Sequence, residues 1–149
     1  MRRLSRAGVA LAYEERGQGS PPMVFVHGWS CDHRYFAPQV ERFSQDHRAI
    51  AVDLRGHGET EAMLSTPRHV IATAWEQLRK VDGASAARAC KVPVLFVNAS
   101  TWRPELELFK ALCPQLMLGQ TVGAGHFNML EVPDQVNAMI ERFLALNAR

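Results

Sequence analysis

Two short apolar runs with a helix-spaced stretch between them constrain this chain more than any other feature. Met23–Val26 and Ala49–Asp53 are brief, nearly continuous hydrophobic runs. Such runs fit strands of a parallel sheet that is buried on both faces. Between them Phe36, Val40 and Phe43 recur at helical spacing. Parallel neighbours need a crossover, so the segment reads as strand–helix–strand with a right-handed connection. The same grammar returns later. Val92–Val97 and Leu116–Val122 read as strands, with Leu106, Phe109 and Leu112 marking a short helix between them. Val136, Met139, Ile140 and Phe143 then define a closing amphipathic helix. Pro67 suits a helix first turn, followed by an apolar face of Val70, Ile71, Ala74, Trp75 and Leu78. Val9 to Glu14 alternate weakly and, with the preceding residues, suggest an antiparallel hairpin closed near Gly17-Gln18-Gly19. The fold class is therefore α/β: a mostly parallel sheet, an antiparallel N-terminal hairpin and helices on both faces.

Composition excludes several classes of function. A chain of 149 residues suits one domain. With 47% hydrophobic and 21% charged residues it has an ordinary globular balance. A net charge of +2 is too small to argue for nucleic acid or an acidic membrane as partner. Arg2, Arg3 and Arg6 precede no long apolar stretch, so no signal peptide or membrane span is expected. Cys31, Cys90 and Cys113 are odd in number and widely spaced, which argues against a disulfide framework and for a cytoplasmic, reducing compartment.

Three motifs follow strands. His27-Gly28-Trp29-Ser30 closes the first buried run, Asp53-Leu54-Arg55-Gly56-His57-Gly58 the second, and Gly123-Ala124-Gly125-His126-Phe127 the last. Gly28, lacking Cβ, lets the backbone turn towards a substrate oxygen. Histidine, with an ordinary pKa near ~6.5, is the side chain suited to taking and returning a proton near neutral pH, which makes His126 a candidate base.

Residues 23–60 and the segment ending GAGHFNMLEVPDQVNAMIERF resemble the front and back of an α/β-hydrolase. That resemblance implies an oxyanion loop at His27–Ser30, with the backbone N–H of Trp29 or Ser30 as donor. It implies a loop-organising carboxylate at Asp53, paired with Arg55, and a general base at His126. It also exposes two losses. No Gly-x-Ser-x-Gly nucleophile turn occurs anywhere. No carboxylate stands after the seventh family strand either, where this chain reads Asn98-Ala99-Ser100-Thr101-Trp102-Arg103. Residues 64–82 look like the tail of a cap region. Residues 1–149 then form a single truncated α/β-hydrolase-like domain that has lost the nucleophile strand, its helix, the sixth strand and most of the cap.

Substitute chemistries follow. Ser85, in Gly83-Ala84-Ser85-Ala86-Ala87, mimics an elbow without a strand before it. Ser30 and Cys31 lie in the oxyanion loop, where a thiolate would be the better nucleophile if a cation lowered its pKa. Cys31, Cys90 and Cys113 otherwise read as packing, and Asp134 as a charge at a helix start. The expected function is hydrolysis of small activated esters or lactones without a cofactor. His126 acts as base on water or directly, and Asp53 or His57 orients it. One alternative is a zinc-type hydrolase of esters or phosphoesters drawing on His27, Cys31, His33, Asp53, His57 and His126. Another is a non-catalytic remnant that binds a small molecule. Removing central strands exposes sheet edges, so a homodimer, with or without exchanged elements, is expected.

Overall fold

The computed structural model describes residues 1–6, 9–60, 67–99, 101 and 103–148. They gather into two compact units, Met1–Glu76 and Gln77–Arg149.

The first unit carries β1 (Arg2–Arg6), β2 (Val9–Arg16), β3 (Met23–Val26) and β4 (Ala49–Val52) in one sheet of order β1-β2-β4-β3. β3 and β4 are parallel, in register from Met23↔Ala49 to Val26↔Val52. A 3-10 turn over His33–Phe36 and α1 (Ala37–Phe43) connect them. Asp32 starts this connection by accepting the Arg34 N–H, and Pro38 occupies the first turn of α1, where its missing N–H costs nothing. Phe25 packs on Phe36 and Phe43 at ring-centre distances of 5.5 and 6.3 Å, over buried Val40, Ala49 and Ala51. Full burial of one such side chain is worth about 1.5–3 kcal/mol. The strand–helix–strand unit thus forms where the apolar runs place it.

Two expectations fail in this unit. The hairpin does not close near Gly17-Gln18-Gly19. β1 and β2 are antiparallel, in register from Arg2↔Tyr13 to Arg6↔Val9, well before those glycines. β2 then runs on to Arg16 and pairs with β4. Gly19 instead marks a backbone crossing. A Cβ there would lie 1.7 Å from the Asp46 carbonyl oxygen, and the Arg48 N–H donates to the Gly19 carbonyl at 2.8 Å. Nor is β3 buried on both faces. Phe25 is buried but Val24 and Val26 are 58% and 52% exposed, because α1 covers only the Phe25 side of this edge strand.

The helix after Pro67 forms as α2 (Arg68–Arg79). Its apolar residues Val70, Trp75 and Leu78 remain exposed rather than forming a buried face. Part of the cap-like segment 64–82 lies outside the described residues.

The second unit contains α3 (Gly83–Ala89), β5 (Val94–Asn98), α4 (Glu105–Leu112), β6 (Leu116–Gln120), α5 (Asn128–Glu131) and α6 (Pro133–Asn147). β5 and β6 are parallel, from Val94↔Leu116 to Asn98↔Gln120. Ala87, Cys113 and Leu116 are buried at the centre, and Phe96 and Phe109 meet edge-on around them at 6.5 Å. α6 packs along β5 and β6, and the Met139 sulfur fills the space above Gly119 that a Cβ would need. Among the described residues no helix is long and apolar enough to cross a membrane.

Candidate active site

In the first unit the loops after β3 and β4 are tied together by imidazoles and one carboxylate. Asp53 directly follows β4 and is wholly buried. Its Oδ1 accepts the His33 N–H at 2.7 Å and lies 2.9 Å from His33 Nδ1, while Oδ2 accepts the Glu59 N–H at 2.8 Å. Burial pushes this carboxyl up, but the Glu59 and His33 donors outweigh it and hold the group below the usual carboxylate range. The Thr60 hydroxyl donates to the Asp53 carbonyl and accepts the Ala12 N–H, both at 2.8 Å, so the loop is also fixed to β2. Gly58 has φ +52°, and a Cβ there would lie 2.3 Å from the Asp53 carboxylate. The whole Asp53–Gly58 turn is therefore built around one anion. Its partner is His33 rather than Arg55, which corrects the pairing expected from sequence.

His27 and His57 do for the neighbouring loop what Asp53 does for its own. His27 Nε2 accepts the Leu54 N–H at 3.0 Å, so Nδ1 carries the proton and donates to the Gly28 carbonyl at 2.8 Å. His57 Nε2 accepts the Ser30 N–H at 3.2 Å, and its Nδ1–H donates to the Arg55 carbonyl at 3.1 Å. The two rings lie 5.1 Å apart, and Trp29 meets His57 edge-on at 5.8 Å. Both imidazoles are buried, and each presents its Nε2 to a backbone N–H. Three assignments change as a result. The Ser30 N–H is already donated, which leaves Trp29 as the candidate oxyanion donor of the pair. The strained residue of this loop is Ser30, at φ +63°, whereas Gly28 has open space where a Cβ would stand. Asp53 and His57 hold loops, and neither is left free to orient a base.

The second unit presents His126 differently. β6 ends at Gln120, and the chain turns through Gly123 at φ +74°, a conformation that favours glycine, before α5 begins at Asn128. The Glu131 carboxylate reaches back to accept the Gly125 N–H at 2.8 Å and the Phe127 N–H at 3.2 Å, gripping the loop on both sides of His126. The His126 ring lies edge-on to Phe127 at 4.9 Å, is exposed, and has no hydrogen-bond partner among the described residues. It lines a pocket of about 330 Å³ with Phe96, Val97, Asn98, Arg103, Asn128 and Met129. Asn98, where an acid would be sought, donates its side-chain amide to the Thr101 carbonyl at 2.8 Å. Ser100 and Trp102 lie outside the described residues. Glu131 was not foreseen from the sequence, since a lone Glu on a helix carries no signal that it caps a loop before it.

The remaining candidates divide on geometry. Ser85 is in the first turn of α3, its N–H and hydroxyl both donating to Asp82 at 3.0 and 2.7 Å, so Gly83–Ala87 is a capped helix and not an elbow. Burial and the Asp32 carboxylate push the Cys31 thiol up, opposite to what a nucleophile needs. Asp134 lies in the first turn of α6. For zinc, no three His, Cys, Asp or Glu side chains gather suitably among the described residues, and the Nε2 lone pairs of His27 and His57 already face N–H groups. The donor set does not fit that ion.

A model described as the alpha/beta hydrolase family matches residues 23–102. Over 51 residues the chain is 37% identical to (E)-2-((N-methylformamido)methylene)succinate hydrolase of Acinetobacter baylyi, covering 34% of this chain and 19% of that protein. Over 61 residues it is 34% identical to epoxide hydrolase 4 of Homo sapiens, covering 40% of this chain and 17% of that one. The match thus spans about a fifth of each curated relative's length. Among solved structures, the enol-lactonase from Burkholderia xenovorans LB400 superposes with a TM-score of 0.72 at 14% identity, covering 96% of this chain and 99% of that one. E-2-(acetamidomethylene)succinate hydrolase gives 0.78 at 17% identity, covering 97% and 98%. At such identities the superpositions establish the α/β-hydrolase-like fold, with its mixed strands and helices.

Proposed function

Because the chain belongs to the alpha/beta hydrolase family, we propose that it hydrolyses small activated esters or lactones, with His126 as the general base acting on water. The observation that carries this is the state of the His126 ring: exposed, unpartnered among the described residues and set in the wall of a pocket. A base needs a ring nitrogen open to a proton, and the Nε2 atoms of His27 and His57 already face backbone N–H groups. In the proposed step His126 takes a proton from water as the water oxygen attacks the acyl carbon. The tetrahedral intermediate then collapses, its C–O bond to the leaving group breaks, and the imidazolium returns the proton to the departing oxygen. No covalent acyl-enzyme is needed, which suits a chain without the Gly-x-Ser-x-Gly turn. Without a serine nucleophile or an acid to orient the base, turnover is slow.

The reading includes a single truncated domain acting on a small-molecule substrate in the cytoplasm, as a homodimer. The printed name of one structural relative, an enol-lactonase, supports the lactone part of this substrate class. An ester, lactone and phosphoester panel, run with and without chelator on wild type and His126→Ala, tests the chemistry. Ester turnover that is indifferent to chelator and falls about 10²–10⁴-fold in His126→Ala is expected. Turnover unchanged by His126→Ala, or abolished by chelator, overturns it. Light scattering after size exclusion tests the dimer, and a stable monomer at micromolar concentration rejects it.

A further inference from the structure

The His126 pocket has a charge pattern that the hydrolytic reading does not use. Among the described residues its lining includes one guanidinium, Arg103, one imidazole and the amide side chains of Asn98 and Asn128, but no carboxylate. Arg103 has no ion-pair partner among the described residues, whereas Arg2, Arg16, Arg34, Arg42 and Arg48 each face an acid. The acid nearest in the chain to His126, Glu131, is turned to the Gly125 and Phe127 N–H groups. Both asparagines are buried, at 4% and 8% exposure, so they belong to the wall and not to the rim. Phe96, Val97 and Met129 make the rest of the lining apolar. A volume of about 330 Å³ is near the lower end for small-molecule sites.

The geometry points to a carboxylate-binding subsite in this pocket, with Arg103 as its cation, so that the substrate class is a short-chain ester or lactone that also bears a free carboxylate. The assignment rests on His126 marking the catalytic pocket, and it supplies what that reading lacks, a group that positions the substrate. A planar guanidinium matches a carboxylate with two parallel N–H donors, while the apolar wall takes a short aliphatic chain. Arg103 is here a positioning residue for substrate, and it takes no part in proton transfer.

Butyrate and its neutral isostere butyramide are the probes, titrated into the isotope-labelled full chain while the side-chain amides of Asn98 and Asn128 are followed by NMR. Butyrate is expected to shift both amides saturably and more weakly as salt rises, with butyramide shifting neither at the same concentration. Arg103→Gln weakens butyrate binding about tenfold or more, and Arg103→Lys retains part of it. Arg103 is exposed, so both variants keep the wild-type spectrum elsewhere. Equal binding of butyramide and butyrate, or butyrate binding unchanged in Arg103→Gln, overturns the subsite. The two readings fail separately. Butyrate binding in a chain that cleaves no ester removes the hydrolase and leaves the subsite. Cleavage of neutral esters as fast as carboxylated ones removes the subsite and leaves the hydrolase.

Discussion

The histidines after β3 and β4 and the histidine after β6 occupy formally similar places, each on a loop beyond a strand's carboxyl end, yet their surroundings are opposite. His27 and His57 are buried, and each uses Nδ1–H as donor and Nε2 as acceptor to backbone groups across 27 residues of sequence or within the adjoining turn. His126 is exposed, its loop is gripped at Gly125 and Phe127, and its ring makes no hydrogen bond among the described residues. In the first region the protein has turned imidazoles into structural cross-braces. In the second it has braced the backbone and left the imidazole available. Position at a strand end therefore marks a candidate, but the hydrogen bonds of the ring decide whether it can do chemistry.

The largest expected effect falls on the braced region. Asp53→Ala removes the acceptor for the buried His33 N–H and the part-buried Glu59 N–H, and the partner of the His33 ring. A loss on the order of 3 kcal/mol is expected, read as a lower urea midpoint at unchanged slope. The same carboxylate gives a pH signature. Its folded pKa lies below the ordinary value, so its contribution is fully present above the unfolded pKa of about 3.9 and fades as pH falls through the lower folded value. Wild type should therefore lose stability on acidification below about pH 4, and Asp53→Asn should lose less over that interval. A variant within ~0.5 kcal/mol of wild type would mean that the brace is ornamental.

Gly58→Ala comes next. It combines a left-handed φ of +52° with a Cβ placed 2.3 Å from the Asp53 carboxylate, so either the turn or the carboxylate must move. About 2 kcal/mol of destabilisation is expected. A double variant with Asp53→Ala should cost less than the sum, because the clash disappears with the carboxylate. Strict additivity in that cycle would show that the two residues do not act as one unit.

How much of this was legible follows the range of the forces involved. α1, α4 and α6 form where Phe36, Leu106 and Val136 and their helix-spaced partners place them, since amphipathic periodicity is local. The turn at Gly123 before His126 is local as well, because it rests on one glycine's freedom at positive φ. The exposure of Val24 and Val26 was not readable, because MVFV looks alike whether one face is covered or two. Nor were the braces. Asp53 finds His33 across 20 residues and Ser30 finds His57 across 27, and no spacing rule encodes such pairings. A sequence shows that histidines and a carboxylate cluster near strand ends, but only tertiary geometry tells a braced ring from a free one.

A smaller effect is expected at Glu131. Glu131→Ala frees two N–H groups at a solvent-exposed turn, where water replaces the carboxylate, so the cost should be about 1 kcal/mol. The change should be concentrated in hydrogen exchange, with the Gly125 and Phe127 amides losing protection while those of α6 keep theirs. Unchanged protection at these two amides would deny Glu131 its part in holding the loop.

The smallest effect on stability provides the sharpest test of the contrast. His126→Ala removes an exposed ring whose described contact is an edge-on approach to Phe127, so unfolding free energy should change by less than about 0.5 kcal/mol. His57→Ala, nominally the same substitution, strips the Ser30 N–H of its acceptor and empties a buried site, so it should cost about 2 kcal/mol or more. Measured side by side in urea, the two variants should separate clearly. If His126→Ala proves as damaging as His57→Ala, the ring after β6 is a brace like the others, and its availability as a base goes with it.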